Sequence, residues 1–215
     1  MEKLAKLIAL GGLAMSLSHA TTPMSGYEHV MSHILDMMAE VTHQPLAQHG
    51  SQVSLATLLA AGAYQHFLQE FIPQEVNLAS CYPTSDQMHN NLTKIFLQVD
   101  PSGKVGEECW AHYRSKLDKW YTQRSTFEAF LKDWPEISKT LVAWSRKPER
   151  LLEILCAIEA PLTFAQLTPP ASEEQAYFAF MSAPLMRERF TLGDMLIFLN
   201  WDRENLWKEI WKMMK

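Results

Sequence analysis

Apolar residues spaced three and four apart recur along most of this chain, and no stretch sustains the alternate-residue pattern of a half-buried strand. The clearest case is Tyr27 to Val41, where Val30, Ile34, Met37, Met38 and Val41 mark one helical face. Gly106 to Trp120 repeats it with Trp110, Tyr113, Leu117 and Trp120. Prolines and glycines divide the remainder. Residues 4–18 read as a first apolar helix, closed by a loop at 20–26. Gln44-Pro45 ends the second helix, and His49-Gly50 leads into a third from about Ser51 to Phe71. On that third helix Ala56, Ala60, Gly62 and Ala63 form a small-residue face suited to close helix packing. Pro73, Pro83 and Pro101-Ser102-Gly103 mark further breaks. Short helices are expected over 125–131, over 135–144 and, from a proline-initiated start at Pro148, through Glu159. A proline-rich connector at 161–170 precedes a cap at Ser172-Glu173-Glu174. Thr191 to Asp194 opens a last, aromatic-rich region containing Phe198, Trp201, Trp207 and Trp211. Eight glycines against twelve methionines and seven tryptophans suit packed helices better than a many-turned β-protein. The expected fold is all-α, with residues 1–215 in a single domain.

Charge and cysteine content exclude several classes. A net charge of −5 gives no general attraction to nucleic acid or to an anionic membrane. No apolar run reaches the roughly 18 residues of a membrane span. Cys81, Cys109 and Cys156 are odd in number and widely spaced, which points to reduced thiols in a cytoplasmic protein. Cys109 follows two glutamates and reads as a packed cysteine rather than a nucleophile. The N-terminus carries two readings. Lys3 and Lys6, the run Leu7 to Leu17 and Ser18-His19-Ala20 have the layout of a secretory signal. Gly11 and Gly12 within the run favour a buried helix of the domain instead. No glycine-rich loop of dinucleotide- or phosphate-binding type is present.

The residues with chemistry to offer are histidines. His29, His33, His43 and His49 fall within 21 residues. His29 and His33 are four apart on an expected helix and project from one face. His49, at the mouth of the next helix, could be brought opposite His29 by the intervening chain reversal. Two neutral imidazoles from neighbouring helices supply half of a tetrahedral divalent-metal site. Glu28 and Asp36 are nearby oxygen donors, although Glu28 points about 100° away from its neighbour His29. Taken alone, the His-x-x-x-His spacing suits surface histidines equally well.

The wider pattern is more specific. Pro23-x-Ser25-Gly26-x-Glu28-His29-x-x-Ser32-His33, followed by His49-Gly50-x-x-Val53-x-x-x-Thr57, resembles the paired histidine motifs of the glycerol-1-phosphate dehydrogenases. These belong with glycerol dehydrogenase, 3-dehydroquinate synthase and the iron-containing alcohol dehydrogenases. The resemblance extends to Gly11-Gly12-Leu13-Ala14-Met15 and to Ala183 through Asp194, which looks like that family's closing helix. It is nearest to the bacterial, arabinose-operon branch.

The resemblance implies a helical C-terminal domain whose Rossmann-like N-terminal half, with its NAD(P) cradle and acidic metal ligand, is absent from this chain. By the same resemblance His29 and His49 would ligate a divalent metal (Zn, Ni or Fe). His33 would assist proton transfer, and Ser25 and Gly26 would contact a small polyol phosphate. The metal would act as a Lewis acid during hydride exchange with the nicotinamide. A homodimer, or the absent half, would cover the remaining surface, and the isolated chain would be inactive. Thr22 stands where relatives commonly carry a basic residue, so the sequence shows no evident holder of the substrate phosphate. Two other readings stand beside the dehydrogenase: a lyase of the dehydroquinate synthase kind, and a non-catalytic helical scaffold that binds a partner.

Overall fold

The computed structural model describes residues 2–20, 24–78 and 85–214, and these residues are helical with no β-strand among them. The α-helices are α1 (Glu2–Ser18), α2 (Tyr27–Val41), α3 (His49–Glu70), α4 (Ser85–Phe96), α5 (Lys104–Thr122), α6 (Arg124–Trp144), α7 (Pro148–Ala157), α8 (Glu173–Met186), α9 (Leu192–Phe198) and α10 (Arg203–Trp211). None of them is long and apolar enough to cross a membrane. The all-α expectation holds. Thr22, Pro23 and Cys81 lie outside the described residues.

The core forms where α2 packs against both α3 and α8. On α2, Val30, Met31 and Ile34 are buried, while Met37 and Met38 are only partly covered and Val41 is exposed. The apolar stripe is therefore shorter than the spacing suggests and ends as α2 runs into solvent. The α3 small-residue face packs as expected. A Cβ on Gly62 would lie 2.2 Å from the Met213 side chain and 3.3 Å from Ile210, so glycine sets how near α10 and the turn after it approach. A second crossing is as tight, with a Cβ on Gly193 lying 2.3 Å from the Pro184 ring.

Pro184 sits inside α8 and cannot donate to the carbonyl of Phe180. The buried hydroxyl of Tyr27, at the start of α2, donates to that carbonyl at 2.5 Å. An interruption in one helix thus becomes the anchor for another. Burial pushes the Tyr27 phenol well above its ordinary range, so it stays a donor. Next to it Lys116 of α5 donates to the Pro184 carbonyl and pairs with Asp194 of α9 at 2.5 Å. Both side chains of the pair are almost fully buried. Desolvation pulls Lys116 down and Asp194 up, against the pull of their mutual attraction. Removing one partner would leave an uncompensated buried charge, at a cost of about 3–5 kcal/mol.

The caps follow the sequence. Ser172 Oγ accepts from the Gln175 backbone N–H at 3.2 Å, and Gln175 Oε1 accepts from the Ser172 N–H at 2.8 Å. Asp194 Oδ2 accepts from both the N–H and the hydroxyl of Thr191.

Four sequence expectations need correction. The segments 125–131 and 135–144 are one helix, α6, with Pro135 inside it. That helix buries only Trp134, so the hydrogen bond lost at Pro135 is not a core penalty. Residues 183–194 are not a single closing helix. The chain leaves α8 at Arg187 with extended backbone (φ −131, ψ 159) and starts again at the Thr191 cap. α4 was not anticipated, although Met88, Leu92 and Phe96 at four-residue steps are all buried. Finally, α1 is helical but not buried. Leu7, Ile8, Leu10, Leu13 and Leu17 are 54–74% exposed, because no other described residues pack over them. Cys109 is packed as expected, and burial pushes its thiol up to about 12.

Candidate metal and anion site

The start of α2, the start of α3 and the segment after α8 converge on one cleft. His29 and His33 lie one turn apart on α2, with ring centroids 5.2 Å apart. The chain after α2 reverses through His43, whose positive φ of 53° closes the helix end. The Gln44 N–H reaches back to the Ala39 carbonyl at 2.8 Å. That reversal brings His49, the first residue of α3, against the pair. Its ring centroid lies 4.7 Å from His29 and 5.8 Å from His33. Three of the four clustered histidines therefore meet, and His43 stays exposed in the turn.

The hydrogen bonds around His49 fix which nitrogen faces the cleft. Buried Ser32 donates its hydroxyl proton to Gln52 Oε1 at 2.7 Å. A serine has one proton to give. With Gln52 Oε1 as its acceptor, Ser32 accepts in its 3.0 Å contact with His49 Nδ1, and the proton sits on Nδ1. The Nε2 of His49 then faces the cleft, 3.2 Å from His29 Nε2. Two nitrogens about 2.05 Å from one tetrahedral ion are about 3.3 Å apart. The pair fits as two donors of such a site.

A third donor is not supplied here. Among the described residues, no group of three or more His, Cys, Asp or Glu side chains is arranged to hold a metal ion. Glu28 turns away, and its Oε1 accepts from the Gly26 N–H at 3.0 Å. A Cβ on Gly26 would meet that carboxylate at 2.6 Å, so glycine permits the fold-back. Asp36 lies one turn beyond His33 and has a buried Oδ1 with no hydrogen-bond partner among the described residues.

Burial and neighbouring groups favour the neutral forms of His29 and His33. Burial, and then the neighbouring His49, hold His29 below the ordinary histidine value. Burial, His29, His49 and Arg187 do the same to His33, with Asp36 opposing. Neutral imidazole is the form that binds metal or accepts a proton.

His29 and His33 border a cavity of about 440 Å3, together with Ser25, Met15, Arg187 and Arg189. Arg189 donates to the Ser25 carbonyl. Gly26 does not border the cavity; it caps α2 beside it. Sequence reasoning missed the two arginines, since nothing local in residues 187–189 announces a neighbour more than 150 positions away. A second cavity of about 480 Å3 beside α5 and α6 is lined chiefly by Trp120, Phe127, Phe130 and Phe190, with no imidazole.

No protein-family model matches the chain, and no solved structure matches it significantly. Several curated relatives do. A glycerol-1-phosphate dehydrogenase (NAD(P)+) of Korarchaeum cryptofilum is 38% identical over 58 residues, which is 27% of this chain and 18% of the relative. One from Methanococcus maripaludis is 36% identical over 64 residues, 29% of this chain and 19% of its own length. One from Caldivirga maquilingensis reaches 42% over 48 residues, 22% and 14% of the two chains. The matches thus span less than a fifth of each of these relatives. Over about a quarter of its length, the chain is similar to the glycerol-1-phosphate dehydrogenases.

Proposed function

We propose that this chain is the helical, metal-binding portion of an NAD(P)-dependent oxidoreductase that interconverts a polyol phosphate and its ketone, as a glycerol-1-phosphate dehydrogenase does. The observation that carries this reading is the meeting of His29 and His49. They come from two helices, with their Nε2 atoms 3.2 Å apart and the His49 Nδ1 tied to Ser32. The partial similarity to glycerol-1-phosphate dehydrogenases supports it. In this reading His29 and His49 hold a divalent ion, and a bound ion would polarise the substrate oxygen. His33, neutral and at the cleft wall, takes up the substrate hydroxyl proton. Ser25 borders the substrate, and Gly26 sets the backbone turn that positions it. A carboxylate ligand and the nucleotide cradle come from beyond the described residues.

The competing reading is a helical scaffold with no metal role, and one observation favours it: no third donor converges on the pair among the described residues. A zinc or nickel titration of the wild type and of His29→Ala, His49→Ala and His33→Ala separates the two. We expect weak binding at pH 7.5, lost in the first two variants and largely kept in the third. Because burial and the neighbouring His49 hold the His29 value below the ordinary one, His29 stays a donor to lower pH than an ordinary histidine, and binding falls as it protonates below about 6.5. Wild-type protein that binds no metal would leave the scaffold.

A further inference from the structure

The segment between α8 and α9 is built to hold two cations over the imidazole cleft. Its ends are fixed by one buried side chain, since Lys116 donates to the Pro184 carbonyl before it and pairs with Asp194 after it. The backbone is extended at Arg187 and again at Thr191. Residues 187–189 bend between those points, and their side chains divide between two cavities. Arg187 and Arg189 border the imidazole cavity, whereas Glu188 and Phe190 border the cavity beside α5 and α6.

We infer that Arg187 and Arg189 form an oxyanion subsite that seats the phosphate group of the ligand beside His33. The inference rests on the reading of the cleft as a substrate site. Both residues are half-buried, and Arg187 makes no ion pair among the described residues. Arg189 is oriented by its bond to the Ser25 carbonyl. Glu28, whose Oε1 accepts from the Gly26 N–H, also acts on Arg189. Two forked cations, partly removed from water beside three imidazoles, leave positive potential that a dianion can neutralise. Planar guanidinium forks match phosphate oxygens in pairs.

The test uses the full chain in metal-free, chelator-containing buffer, titrated calorimetrically with inorganic phosphate, glycerol 1-phosphate and glycerol. Both phosphates should bind, glycerol should not, and Arg187→Gln should weaken phosphate binding by roughly tenfold to a hundredfold, the loss of one charge-assisted contact. Arg187→Gln is the decisive variant because Arg189 also braces the Ser25 loop. Arg187→Lys should recover part of the affinity, as a point charge does without the fork. Absence of phosphate binding by the wild type, or Arg187→Gln binding as the wild type does, would overturn the subsite. A separate zinc titration without phosphate keeps the two claims apart. Phosphate binding without zinc binding would retain the anion site and remove the metal reading, while the reverse would remove the anion site alone.

Discussion

Helices α1 and α2 carry comparable apolar residues and have opposite fates. Ile34 of α2 is fully buried and Val30 nearly so, whereas Leu13 and Leu17 of α1 are 55% and 74% exposed. Periodicity therefore reports that a segment is helical, while burial depends on whether other elements offer a matching surface. For α2 that surface is supplied by α3 and α8, aided by the Tyr27 hydroxyl bound to the Phe180 carbonyl. The same packing places His29 and His33, so the candidate site inherits its rigidity from the core.

Substitutions at the two helices and their partners should separate the regions by size of effect. The largest is expected at Phe180, fully buried in α8 against Tyr27 and Trp207. Phe180→Ala should lower unfolding free energy by about 3–5 kcal/mol in a denaturant melt. Leu13→Ala on α1 should stay within about 0.5 kcal/mol. Equal losses at the two positions would show that α1 is buried in solution and would erase the contrast. Acidification adds a second distinction. The folded cluster holds His29 and His33 below their ordinary value, so the unfolded chain takes up protons first. Stability should therefore fall as pH drops below about 6.5, and His29→Ala should flatten that slope.

An intermediate effect is expected at Ser32, which is buried and touches no candidate ligand except through His49 Nδ1. Ser32→Ala should weaken zinc affinity by roughly tenfold to a hundredfold, because the ligand's tautomer and ring orientation are no longer fixed. Ser32→Thr keeps the hydroxyl and should recover much of the loss. If Ser32→Ala binds zinc as the wild type does, the tether has no part in the site.

Much of the fold was legible because helices are local. The 3.6-residue spacing, the Ser172 and Thr191 caps and the small face around Gly62 all read directly into elements and contacts. The His29–His33 pair and the approach of His49 were legible for the same reason, with only a short turn between their helices. What escaped was non-local or conditional. α4 carries a clear Met88–Leu92–Phe96 stripe and was passed over between proline breaks. Pro135 does not end α6, because a largely solvent-facing helix tolerates one missing hydrogen bond. The exposure of α1 depends on surfaces elsewhere in the chain. Arg187 and Arg189 reach the cleft on a segment whose two ends Lys116 ties together from a distant helix.

The central claim is that His29 and His49, and not His33, present metal-ready nitrogens to one point. Nitrogen-15 NMR of the imidazole side chains tests it most directly, by following both ring nitrogens of each histidine before and after zinc is added. The account predicts that His49 carries its proton on Nδ1 at pH 7.5 before zinc is added. Zinc should then move the Nε2 resonances of His29 and His49 while leaving His33 nearly in place. A His49 protonated on Nε2, or equal zinc-induced movement at all three histidines, would contradict it.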